Sequence, residues 1–127
     1  MRTMTRLIVA TLLMGVFTCL SADLVQVWSC TAHEGKSDAD LEKASSAWLA
    51  AAKGMKGGEN LEVYHSYPMA ANAGERGFEF VLIAPDPATW GAFWNDYDGS
   101  AAAKTDAAWN DVASCSGSAL WNSKAIQ

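Results

Sequence analysis

The stretch Phe78 to Tyr97, FEFVLIAPDPATWGAFWNDY, constrains this chain most, because it joins the most apolar strand run to the firmest helix start. Phe78 to Ala84 is short, aromatic and β-branched, and proline follows it, which predicts a buried strand. Asp86 is placed to cap a helix, with Pro87 at the first helical position, where a missing N–H costs nothing. Inside that helix Trp90, Phe93, Trp94 and Tyr97 recur at i, i+3, i+4 and i+7. Their rings share one face, and that face needs a cover.

The chain opens with a targeting pattern. Arg2 and Arg6 precede an apolar run from Leu7 to Leu20, and Leu20-Ser21-Ala22 offers small residues for cleavage. The run falls short of the roughly 20 residues a membrane span needs, and no second hydrophobic stretch follows. Residues 1–22 are therefore expected to be a signal peptide, with the remainder, residues 23–127, periplasmic or secreted. Cys19 could take a lipid only if Val16-Phe17-Thr18-Cys19 served as a lipobox, and Phe17 and Thr18 fit that role poorly.

Removing such a leader leaves about 105 residues, one small domain with one core. Lys and Arg fall from 9 to 7 while Asp and Glu stay at 14, so the net charge moves from −5 to −7. An acidic domain repels phosphate backbones, which argues against nucleic acid and anionic membrane surfaces as partners. Cys30 and Cys115 remain, one near each end of the domain. In an oxidising compartment they most simply form one disulfide, the alternative being two buried thiols.

Leu24 to Cys30 reads as a first strand. Ser37, with Asp40 as its capping-box partner, opens a helix carrying Leu41, Ala44, Trp48, Leu49, Ala52 and Met55 on its apolar side, stopped by Gly54, Gly57 and Gly58. Leu61 to Tyr67 is a second strand, with Leu61, Val63, His65 and Tyr67 on one face. The small and polar stretch Ala70 to Gly77 is a loop and the expected mobile segment. Beyond Asp98-Gly99-Ser100 a further helix is expected over Ala101 to Ser114, then a break at Cys115-Ser116-Gly117-Ser118 and a last strand over Ala119 to Ile126.

The order is strand, helix, strand, strand, helix in two pieces, strand. This is the split βαβ arrangement, an α+β fold with a four-stranded antiparallel sheet and helices on one face. In element order the chain resembles the ferredoxin-like fold, and within it the dimeric α/β-barrel superfamily. The resemblance implies that Cys30 and Cys115 tie neighbouring parts of one sheet, and that the bare sheet face packs on a second protomer. It also implies a space between sheet and helices for a small apolar ligand. Members include monooxygenases of haem or polycyclic phenols and chlorite-dismutase-like haem proteins, so haem is the cofactor that the resemblance allows.

Candidate functional residues are few. His65 lies mid-strand beside Tyr64 and Tyr67, where an imidazole could act as acid, base or haem ligand, or could simply be a half-buried histidine bonded to a carbonyl or tyrosine. Six Trp in so small a domain predict an aromatic core, and large rings also line pockets, so His65, Tyr67, Trp90 and Trp94 are the pocket candidates. Cys30-Thr31-Ala32-His33 has half the spacing of a metal site, but the other half is missing and a disulfide would consume Cys30. CTAHEGKS at 30–37 lacks the first glycine of a phosphate loop, and Trp94 to Gly99 lacks the first ligand of a calcium loop. No Ser-His-Asp set or paired carboxylates can be argued from spacing. The reading is a non-catalytic module that dimerises or binds a small ligand or protein, with an oxygenase-like or haem-handling enzyme using His65 as the alternative.

Overall fold

The computed structural model describes residues 23–69, 77–124 and 126. The expected signal peptide with Cys19, and nearly all of the loop expected to be mobile, lie outside the described residues. The elements are β1 (Asp23–Ala32), α1 (Asp38–Lys53), β2 (Glu62–Ser66), β3 (Phe78–Ala84), α2 (Pro87–Asn95), α3 (Asp106–Asn110) and β4 (Ala113–Ser123), with a short 3₁₀ turn over Ala103–Thr105. The sheet runs β2-β3-β1-β4, each neighbour antiparallel, which is the ferredoxin-like order.

Both predicted caps form. The Ser37 N–H donates to Asp40 Oδ2 at 2.9 Å, and the Asp40 N–H donates to Ser37 Oγ at 3.4 Å. Asp86 accepts from the Thr89 N–H at 2.7 Å, with Pro87 following as the first helical residue. Gly54 caps the far end of α1. Just beyond it Gly57 has φ +80°, and an added Cβ would stand 2.5 Å from the Thr89 carbonyl oxygen, so α2 lies against bare backbone there.

Alternation along the strands separates two sheet faces. Leu24, Gln26, Trp28 and Cys30 of β1 align with Ala84, Leu82, Phe80 and Phe78 of β3 on the helix side. Leu41, Ala44, Ser45, Trp48 and Ala52 of α1 are buried over them, together with Phe93 of α2. The other face carries Val25, Val27, Val81, Ile83, Tyr64 and Trp121, on which no described helix packs.

Three expectations need correction. Tyr97 lies beyond α2, whose C-cap is Asp96. The helix expected over Ala101 to Ser114 is only the 3₁₀ turn and the five residues of α3. The last strand begins at Ala113, six residues before the expected start, and includes Cys115. The cause is long-range pairing: Cys30 aligns with Cys115 and the two are joined at an S–S distance of 2.02 Å. Trp28 aligns with Ser118 but Ser29 with Ser116, so Gly117, at φ +61°, is the extra residue of a β-bulge. What reads locally as a break is a kink inside the strand.

Candidate functional site

Between the sheet and the helices lies a cleft of about 340 Å³, lined by Trp28, Trp48, Phe80, Trp94, Tyr97, Asp106, Trp109, Asn110 and Cys115. Its walls come from β1, β3 and β4 below, and from α1, the end of α2 and α3 above. The rings brace one another at steep angles: Trp48 on Phe80 at 5.8 Å between centroids and 90°, and Phe80 on Trp109 at 5.2 Å and 65°. Such edge-to-face contacts suit the ring quadrupoles and hold the wall in one shape.

One polar chain runs along this wall. Trp48 Nε1 donates to the Tyr97 hydroxyl at 2.8 Å, and that hydroxyl donates to Asp106 Oδ1 at 2.7 Å. Burial first, and then the Asp106 carboxylate, push the Tyr97 phenol far above its ordinary range, so it stays a neutral donor. The other Asp106 oxygen makes no hydrogen bond among the described residues, and Asp106 has no ion-pair partner there. A second polar anchor is Gln26, whose Oε1 accepts from Trp90 Nε1 at 2.9 Å and from Trp94 Nε1 at 3.1 Å. One buried-side amide oxygen therefore satisfies two indoles and fixes α2 to β1.

The four pocket candidates divide. Trp94 lines the aromatic cleft. Trp90 does not line it but shares Gln26 with Trp94. His65 and Tyr67 instead line a separate groove of about 400 Å³ between α1 and β2, with Glu42, Ser45, Ser46 and Leu49. His65 Nε2 lies 2.7 Å from Ser45 Oγ, and its ring packs against Phe78, Phe80, Trp109 and Tyr67 at 5.2–6.3 Å between centroids. Burial lowers the imidazole pKa, against the pull of the Glu42 and Asp38 carboxylates, so it is neutral at pH 7. Phe80 and Trp109 touch His65 and also wall the aromatic cleft.

Haem does not fit His65. Its Nε2 is engaged by Ser45 and four rings pack around the imidazole, so an axial bond through that nitrogen would require breaking the Ser45 contact and moving the rings. His33 is engaged too: its Nδ1–H donates to the Asp111 carbonyl at 3.2 Å, which leaves Nε2 to accept from Ser114 Oγ at 2.7 Å. With Cys30 in the disulfide, the half metal site does not exist. No group of three or more His, Cys, Asp or Glu among the described residues could hold a metal ion. No helix of the described residues is long and apolar enough to cross a membrane.

Sequence reasoning overlooked Ser45, Gln26 and Asp106. Ser45 did carry a signal, being a hydroxyl on the apolar face of α1, four residues after Leu41 and three before Trp48. Gln26 interrupts the inward-facing row Leu24, Trp28, Cys30 in the same way. Asp106 carried none.

No family model and no curated protein sequence matches the chain. Solved structures do. SnoaB, a cofactor-independent oxygenase from Streptomyces nogalater, matches with TM-score 0.52 and 10% identity over 83% of this chain and 96% of its own. A candidate antibiotic biosynthesis monooxygenase from Chloroflexus aurantiacus J-10-fl matches with TM-score 0.53 and 8% identity over 84% and 97%. A dimeric ferredoxin-like protein of unknown function from Thermobifida fusca YX is more distant, at TM-score 0.48 and 14% identity over 80% and 92%. The likeness to SnoaB and the Chloroflexus protein is one of fold alone, and it extends over nearly the whole of each of those two chains.

Proposed function

We propose that this chain is an exported, homodimeric α/β-barrel protein that takes a small organic molecule into the aromatic cleft and oxidises it in an oxygenase-type reaction. The observation that carries the reading is the cleft itself: an indole-rich cavity between sheet and helices with a carboxylate and a hydrogen-bonded tyrosine on its wall. Fold likeness to a cofactor-independent oxygenase supports the reaction type. Arg2, Arg6 and the apolar run after them support export, as does the disulfide. The uncovered sheet face supports the dimer: Trp121 is 60% and Tyr64 51% exposed beside half-buried valines and Ile83.

Two measurements test this together. Tryptophan fluorescence should respond to ligands that enter the cleft, because four indoles line it. An oxygen electrode should then record uptake with an electron-rich ligand that binds, at a rate that Trp28→Ala lowers about tenfold or more through lost positioning. Binding without oxygen uptake removes the oxygenase reading and leaves a non-catalytic binding module in the same cleft. Neither response, across a panel of small electron-rich aromatics and amines, overturns the cleft as the functional site.

A further inference from the structure

We propose that the aromatic cleft selects a small organic cation, with an alkylammonium group seated among its rings and paired with Asp106. The proposal rests on the cleft being the ligand site and names the class of ligand it takes. Three features of the cleft lead to it.

The first is shape. A flat fused-ring ligand needs two near-parallel walls, whereas the lining rings are inclined to each other by 40° or more: Trp28 to Trp94 by 56°, Trp94 to Tyr97 by 49°, Trp48 to Tyr97 by 40° and Trp28 to Phe80 by 71°. Inclined rings make a cup, and a compact, rounded group fills a cup. At about 340 Å³ the cavity is also near the small end of ligand sites, which run from roughly 300 to 1,000 Å³.

The second is charge. The indole faces carry negative π density, and a cation within about 6 Å of a ring centroid is attracted to it, tryptophan being the strongest partner. Asp106 adds a full negative charge on the same wall, with one oxygen given to Tyr97 and no positive partner among the described residues. A bound ammonium would supply that partner. The third feature acts at longer range, since the chain's net charge of −5 attracts cations toward any cleft on it.

A neutral phenol would use Asp106 as an acceptor but would leave the ring cup with no charge to stabilise. An ammonium uses both.

Choline, its uncharged isostere 3,3-dimethylbutan-1-ol and the neutral aromatic 2-naphthol separate these cases in a tryptophan-fluorescence titration checked by calorimetry. Choline should bind at least about tenfold more tightly than the isostere, since a cation–π contact with a carboxylate partner is worth on the order of that factor. Asp106→Asn keeps an acceptor for the Tyr97 hydroxyl, and should weaken choline about tenfold while leaving the isostere unchanged. Equal binding of choline and its isostere, or an unaltered choline affinity in Asp106→Asn, would overturn the proposal. Binding of 2-naphthol alone would overturn it while keeping the cleft as the ligand site. If none of the three binds, the cation proposal falls, and the cleft as ligand site is then decided by the wider panel of aromatics and amines.

Discussion

The two faces of the sheet are made by the same strands and differ by one residue of phase. On the helix side, Trp28 meets Phe80 at 5.7 Å, Gln26 accepts from two indoles, and Leu82 is fully buried. On the other side Val25, Val27, Val81 and Ile83 are only half-buried, and Trp121, opposite Val25, is 60% exposed. The open face is apolar only at its centre, since Ser29, Glu62, Ser66 and Glu79 share its phase, whereas the helix side has Gln26 as the polar residue of the β1 and β3 rows. What differs is the cover: one face has its own chain's helices, and no described helix packs on the other. The lesson is that apolar alternation in a strand says that something will cover it, not what.

The disulfide gives the largest expected effect, because it ties β1 to β4 across a sequence separation of 85. Cys30→Ala with Cys115→Ala should lower the stability to chemical denaturation by about 4–5 kcal/mol on the chain-entropy estimate. A loss below about 1 kcal/mol would mean that sheet pairing alone holds β4. Next come adjacent residues on opposite faces. Leu82→Ala should cost about 2–5 kcal/mol by leaving a cavity under α1 and α2, and Val81→Ala about 1 kcal/mol or less in the isolated protomer. Equal losses would break the distinction between the faces.

A smaller effect, on association instead of folding, is expected at the open face. Trp121→Asp should weaken self-association by at least about 2 kcal/mol, roughly thirtyfold, with the protomer's melting temperature little changed. Sedimentation velocity over a concentration series measures this, and a wild-type protein that stays monomeric throughout would remove the dimer. The smallest effect is expected at His65. Its folded pKa lies below the unfolded value of about 6.5 because burial disfavours the charge. The unfolded chain therefore takes the proton first, so the contribution is complete above about pH 6.5 and is lost as pH falls through the folded pKa. His65→Gln, which can keep a bond to Ser45, should flatten that part of a stability–pH profile; an unchanged slope would assign it to other groups.

The fold was largely legible, the site only in part. β3, the Ser37 and Asp86 caps and the stop at Gly54 depend on neighbours within four residues, so local sequence carries them. The α3–β4 region misled because Gly117 looks like a terminator when the partner strand is out of view. Of the four pocket candidates, Trp94 lines the aromatic cleft. His65 and Tyr67 went to a different groove, and Asp106 was not read at all.

By itself, the sequence determined the order of elements, the period and the caps of the first two helices, two cysteines near the ends of residues 23–127, and the abundance of rings needing cover. These follow from backbone geometry and from side chains a turn or a pleat apart. Only the tertiary structure decided that Ser45 meets His65, that Gln26 takes two indoles 64 and 68 residues away, and that Trp48, Tyr97 and Asp106 form one hydrogen-bonded line. The first two pairings cross the interface between sheet and helices, and the third ties α1 to the segment after α2 and to α3. Which groups meet there is set by the register of β1 on β3 and by how α1 and α2 seat on them, and no local pattern encodes that seating.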